Sequence, residues 1–165
     1  MGSETTSKDI NEEVNLMIGF TIGGEDYGVD IQTVKEVIRI TQITRLPKAP
    51  LFVKGVINLR GDIIPIIDLR EKFGFNRQEY VNSSRIIVTE MKGKSVGMVV
   101  DSVTSVIRLN QDDIDPPPPL VGGLSEEYLN GVGKFGGKLI VLLNIDRILS
   151  MEEVDELNRI ETINN

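Results

Sequence analysis

Gly55-Val56-Ile57-Asn58-Leu59-Arg60-Gly61-Asp62-Ile63-Ile64-Pro65-Ile66-Ile67-Asp68 is the stretch that decides the fold. Gly55 to Leu59 and Ile63 to Asp68 read as two buried strands. Arg60-Gly61-Asp62 between them reads as a tight turn in which Gly61 can supply a positive φ. The pattern returns further along the chain: a shift of 76 lays Gly55 to Phe73 over Gly131 to Leu149. It pairs Gly55-Val56 with Gly131-Val132, Gly61 with Gly137, and Ile63 to Ile67 with Leu139 to Leu143. A second shift, of 69, lays Tyr27 to Arg39 over Val96 to Arg108 and matches Gly28 to Gly97, Val34 to Val103, Val37 to Val106, Ile38 to Ile107 and Arg39 to Arg108. The two shifts differ by one insertion between the matched blocks, where a Pro-rich stretch lies. Two related β-rich lobes follow, and short strands with Gly-rich turns suit small closed barrels that leave no sheet edge open.

Outward from this repeat the organisation is simple. Residues 1–15 are polar and read as a flexible tail. Leu16 to Ile22 and Tyr27 to Ile31 flank Gly23-Gly24-Glu25-Asp26 as strand, turn, strand. Ile31, Val34, Val37 and Ile38 recur at helical spacing, which predicts a short helix. Leu46-Pro47-Lys48-Ala49-Pro50 is a rigid connection, Leu69 to Phe73 adds a helical turn, and Arg85 to Val100 reads as a hairpin about Lys92-Gly93-Lys94. Asp115 to Gly123, with Pro116 to Pro119 inside it, reads as a stiff exposed loop. Ser150 followed by Glu153 predicts a capping box that opens a terminal helix over 150–165.

Composition excludes much chemistry. The 165 residues contain no His and no Cys, which removes disulfides, Cys/His zinc sites, Ser–His–Asp and Cys–His nucleophiles and histidine phosphorylation. A net charge of −7, no Trp, and only 3 Tyr and 5 Phe argue against a nucleic-acid binder. No run approaches the ~20 apolar residues of a membrane span, and the expectation is a soluble intracellular protein without membrane insertion. Gly131-Val132-Gly133-Lys134-Phe135-Gly136 has dinucleotide-site spacing, but a strand follows it where a helix N-terminus is needed. Asp112, Asp113 and Asp115 lack the spacing of a calcium loop, so no metal or cofactor is implied. Arg60-Gly61-Asp62 is sufficiently explained as a turn.

The repeat also sorts residues. Gly61 recurs as Gly137, as turn geometry requires, whereas Arg60 is replaced by Gly136. Lys35-Glu36 likewise corresponds to Thr104-Ser105, so the charged pair is absent from a segment whose apolar positions repeat. Arg60 and Glu36 are therefore candidates for binding a partner.

The stretch from Phe52 to Arg70, with its Asn58-Leu59-Arg60-Gly61 turn, resembles the signature of the CheW family of bacterial chemotaxis coupling proteins. Tyr27 to Ile31, Val34 to Val37, Val96 to Asp101 and Glu127 to Gly131 fit the same family in order, so the resemblance spans 16–149. It implies a mainly β fold, two interleaved five-stranded β-barrel lobes with short helices, and a non-catalytic adaptor. The implied partners are the cytoplasmic tip of methyl-accepting chemoreceptors and the regulatory domain of the histidine kinase CheA, met in arrays at the inner membrane face. With 165 residues, too few for the kinase's ATP-binding domain or a receiver as well, the expectation is a stand-alone coupling protein. The family's receptor-contact positions fall on Val34, Glu36, Arg60, Arg85 and Ile86, with Val34 and Ile86 expected to pack on the receptor while Glu36 and Arg60 fix register. Arg85 stands where an apolar residue is familiar. The kinase contact falls near Asp115 to Leu120, where the four prolines depart from the pattern and only Leu120 carries over. Two other classes compete: a small-barrel nucleic-acid or other ligand-binding module, and an enzyme with a Lys, Ser or carboxylate centre.

Overall fold

The computed structural model describes the backbone of residues 14–76, 78–118, 120–121 and 124–164, with the side chains of 119–126 and 160–164 outside the description. Of the tail expected over 1–15, residues 1–13 lie outside the described residues, and Val14 and Asn15 already belong to the first strand.

The strands are β1 (Val14–Ile22), β2 (Glu25–Asp30), β3 (Val34–Arg39), β4 (Val53–Leu59), β5 (Asp62–Asp68), β6 (Arg85–Met91), β7 (Lys94–Val100), β8 (Ser102–Asn110), β9 (Ile114–Asp115), β10 (Leu120–Val121), β11 (Leu124–Ser125), β12 (Leu129–Phe135) and β13 (Lys138–Leu143). Among the described residues three α-helices punctuate them: α1 (Leu69–Lys72), α2 (Ile145–Ile148) and α3 (Met151–Asn164). One sheet runs β3-β6-β7-β5-β4 and the other β8-β1-β2-β13-β12-β9, its sixth member being the two-residue β9. The fold is thus the mainly β, two-lobed one expected from sequence, and each lobe draws strands from both halves of the chain.

The two sheets obey the sequence shifts position for position. In the first lobe β13 and β2 run parallel with Leu142 opposite Gly28, and in the second β5 and β7 run parallel with Ile66 opposite Gly97, which is the same pair carried by both shifts. Register shifts fall between Leu129 and Gly131 and between Val53 and Gly55, again equivalent positions. At these bulges Gly55 (φ 144) and Gly131 (φ 157) lie under a crossing strand. A Cβ would stand 2.1 Å from the Thr44 carbonyl oxygen at Gly55 and 2.6 Å from that of Asp115 at Gly131. Thr44 bridges Val56, and Asp115 pairs with Val132. These contacts bring a further segment of chain onto the same edge strand of each sheet, curling it toward a barrel.

The core has three parts. Ile57, Ile64, Ile66, Ile86, Val88 and Val99 fill the second lobe. Met17, Ile107, Leu109, Ile140 and Leu142 fill the first. The largest cluster lies between the lobes and takes Phe20, Tyr27, Val29, Ile67, Ile87, Met98, Val141, Leu143, Val154 and Leu157. The central strands β5 and β13 are therefore buried on both faces over Ile64 to Ile67 and Ile140 to Leu143, which is why these segments read as unbroken apolar runs. Rings in contact from Phe20 through Tyr27 and Phe73 to Tyr128, the first two pairs stacked and the last tilted, with centroids 5.7, 6.3 and 6.0 Å apart, help fill the interface.

One expectation is corrected. Residues 31–38 are not a helix: Ile31–Thr33 make a single 3-10 turn and Val34 starts β3. The Asp30 carboxylate accepts the Gln32 N–H at 2.9 Å, ending β2, and Val34, Val37 and Ile38 are β-branched residues for which β6 offers a ladder. The loop expected over Asp115 to Gly123 is interrupted at both ends, by Asp115 in β9 and by Leu120–Val121 pairing with Leu124–Ser125.

Candidate functional site

The β4–β5 turn is a two-residue hairpin loop with both positions left-handed, Arg60 at φ 52 and Gly61 at φ 92. Asn58 Oδ1 accepts the Gly61 N–H at 2.8 Å and locks the turn from below. Among the described residues the other three such loops put Gly23, Lys92 and Gly136 at the first position. Arg60 therefore holds a conformation that costs an L-residue roughly 1–2 kcal/mol, at a place where two of the other three loops use glycine.

Its side chain has a partner. Arg60 Nη2 donates to Glu36 Oε2, joining the two residues that the repeat singles out. Arg60 is 69% exposed and Glu36 31% exposed, so the pair displays unused guanidinium donors to solvent. It spans from β3, at one edge of the five-stranded sheet, to the turn at the other edge. At the equivalent point of the first lobe, Ser105 and Gly136 can form no such pair.

The remaining receptor-contact candidates divide between the faces of β3. Register places Ile38 opposite Ile86 and Glu36 opposite Val88, so Glu36 and Ile86 share the barrel-facing side. Val37 lies opposite Ile87 and Arg39 opposite Arg85, on the side that looks toward the other lobe. Val34 is half-buried against the interlobe core. Arg85, half-buried beside the like charge of Arg39, turns back to donate to the carbonyls of Asn82 and Ser84 at 2.7 and 2.8 Å. Ile86 is 0% exposed within the second-lobe core, where it backs Ile38 and the strand from inside. Strand alternation could have shown this, since Arg85 and Ile87 take one face and Ile86 and Val88 the other. Sequence reasoning passed over Val37, which is 37% exposed between Glu36 and Ile38.

Leu120 pairs with Ser125 in the short β10–β11 ladder, and its side chain lies outside the described residues. Beside it in sequence, Asp115 receives Lys134 Nζ at 3.1 Å. A separate cleft of about 560 Å³ opens near the Thr44–Val56 bridge, walled by Ile43, Leu46, Pro47, Pro50 and Leu51 above the half-buried Lys54–Glu71 pair. Among the described residues no helix is long and apolar enough to cross a bilayer.

Comparison with known proteins agrees with this geometry. The family model of the CheW-like domain matches residues 16–153. The chain is 42% identical over 154 residues to the chemotaxis protein CheW of Klebsiella aerogenes, covering 93% of each. It is 35% identical over 150 residues to that of Helicobacter pylori, covering 91% of this chain and 90% of the relative. The crystal structure of the scaffolding protein TtCheW from Thermoanaerobacter tengcongensis superposes with a TM-score of 0.79 at 35% identity, covering 84% of this chain and 94% of that one. With the fold, the Asn58 to Gly61 turn and relatives along nearly its whole length in agreement, the chain belongs to the CheW-like family.

Proposed function

We propose that this protein is a non-catalytic adaptor that couples methyl-accepting chemoreceptors to the histidine kinase CheA, residues 16–149 forming the adaptor domain. The observation that carries the reading is the Glu36–Arg60 pair, held on a locked, left-handed turn and absent from the equivalent site of the other lobe. A receptor tip is a helical hairpin, and a helix laid along edge strand β3 would meet apolar Val34 and Val37 beside two charged groups able to fix its register. Arg85 borders that surface, and Ile86 underlies it. The kinase regulatory domain would be met elsewhere, through the segment around Leu120, so that one chain holds both partners at once. Recruitment to receptor arrays on the inner face of the membrane then needs no membrane segment of its own.

The test is a pull-down with purified CheA regulatory domain and a receptor-tip fragment. Wild type should bind both, and Arg60→Ala and Glu36→Ala should each weaken receptor binding by ~1–3 kcal/mol while leaving the kinase domain bound. A wild type that captures neither protein overturns the adaptor reading.

A further inference from the structure

The chain passes between the sheets at two points, and they are built differently. From β2 to β3 it crosses through the turn Ile31–Thr33. From β7 to β8 it crosses through one residue, Asp101, because β7 ends at Val100 and β8 begins at Ser102. Both backbone polar groups and both carboxylate oxygens of Asp101 are engaged. Its N–H donates to the Thr21 carbonyl at 2.9 Å, and its carbonyl accepts from Ser83 Oγ at 3.1 Å. Oδ1 accepts from Arg70 Nε at 3.1 Å, while Oδ2 accepts from Arg70 Nη2 and from the Gly23 N–H, both at 2.8 Å.

Arg70 belongs to α1 of the second lobe and is only 12% exposed at its side chain, and Thr21 and Gly23 belong to the first lobe's leading hairpin. A bidentate pair of this kind fixes an angle as well as a distance, because the rigid planar guanidinium makes two N–H···O bonds to one carboxylate. The same logic that singles out Arg60 and Glu36 applies here. Under the two sequence shifts Asp101 corresponds to Gln32 and Arg70 to Asp146, so the ion pair is absent from the other crossover. There Asp146 Oδ1 simply accepts the Lys92 N–H, at 3.0 Å. A crossover of this fold can therefore be made without the pair.

We propose that the Arg70–Asp101 clamp sets the angle between the two lobes, and that simultaneous engagement of two partners depends on that angle. Arg70 and Asp101 are positioning residues, remote in role from the contact surfaces. The second half of this proposal rests on the coupling reading above, and the first half does not.

The chain contains no cysteine, so Gln42→Cys with Lys138→Cys, one exposed site on each lobe, introduces a single pair of spin labels. Electron–electron distance measurements on wild type, Arg70→Ala, Asp101→Asn and the swap Arg70→Asp/Asp101→Arg read the angle directly. The interlobe distance distribution should broaden or shift in the single variants and narrow back in the swap. Binding to the receptor fragment alone and to the kinase domain alone should stay within about twofold of wild type, as for distant sites. Formation of the three-component complex should fall ~5–100-fold. Unchanged distances in both single variants overturn the proposal, as does a changed angle with undiminished three-component assembly. Unfolding of all three variants would assign the pair to stability alone, which also overturns it. A wild type that binds neither partner overturns the coupling reading instead, while the distances still judge the clamp.

Discussion

Arg60 and Gly61 are neighbours in one turn, and substitutions there should have opposite consequences. Gly61 at φ 92 meets no atom within 4 Å of a built Cβ, so the cost of Gly61→Ala is backbone strain, roughly 1–2 kcal/mol. Arg60→Gly relieves the same kind of strain at φ 52 and loses some unfolded-chain rigidity, two effects of similar size. The expected outcome is a stability within about 1 kcal/mol of wild type together with weakened receptor binding. Urea unfolding and a receptor-fragment titration on the two variants check this. An Arg60→Gly protein that melts like Gly61→Ala would mean that the arginine serves the fold after all. This residue was legible in the sequence because the second copy of the turn supplies an internal control, Gly136. Its partnership with Glu36 was not, since 24 residues separate them and only closure of the sheet brings them together.

At the level of elements, α3 shows how a local motif acquires a long-range role. Ser150 Oγ accepts the Glu153 N–H at 3.1 Å and the Ser150 N–H donates to Glu153 Oε1 at 2.8 Å, the capping box predicted from the sequence. The second carboxylate oxygen of Glu153 takes Lys72 Nζ from α1 at 2.6 Å, which ties the helix to the second lobe while Val154 and Leu157 enter the interlobe core. Ser150→Ala should cost ~1 kcal/mol, and Glu153→Ala, which removes half the cap and leaves the nearly buried Lys72 unpaired, should cost more. Denaturant unfolding gives both values, and hydrogen exchange should report faster opening of α3 before global unfolding. Equal costs would show the Lys72 contact to be idle. The helical spacing of Ile31 to Ile38 misled for the complementary reason: periodicity over eight residues cannot distinguish a short helix from an edge strand, and the β6 ladder that decides the matter lies some 50 residues on.

On the scale of the molecule, the duplication explains the architecture, and the places where its copies differ point to function and electrostatics. Repeat and apolar runs in the sequence were enough for two β lobes, because the central strands of each sheet are buried on both faces. Interleaving of the halves was implied only by the family resemblance, since repeat and apolar runs say nothing of parallel pairings between distant strands. The copies also differ at the caps of their small helices, where Asp68 caps α1 and Asn144 caps α2, each accepting the N–H two residues on. Burial raises the pKa of Asp68 against the opposing Arg70 N–H and Lys54 charge. Its favourable contribution is therefore present at low pH and lost as pH rises through the raised folded value, so ionised Asp68 weakens the protein at neutrality. Asp101 behaves oppositely: burial pushes its carboxyl up, but the Arg70 and Gly23 hydrogen bonds and the Arg70 charge outweigh that and hold it low. Its contribution is full above the ordinary carboxylate range and is lost as pH falls through the depressed value. Asp68→Asn, which copies the cap of the other lobe, should thus raise stability at pH ~7 by up to about 1 kcal/mol and confer no gain at pH ~3. Asp101→Asn should lower stability at pH ~7 and by less at pH ~3, below the ordinary carboxylate range. Urea midpoints for the two variants at both pH values decide the question. If Asp68→Asn destabilises at neutral pH, attraction to Lys54 outweighs the cost of burying the charge, and the difference between the two caps is part of what holds the second lobe together.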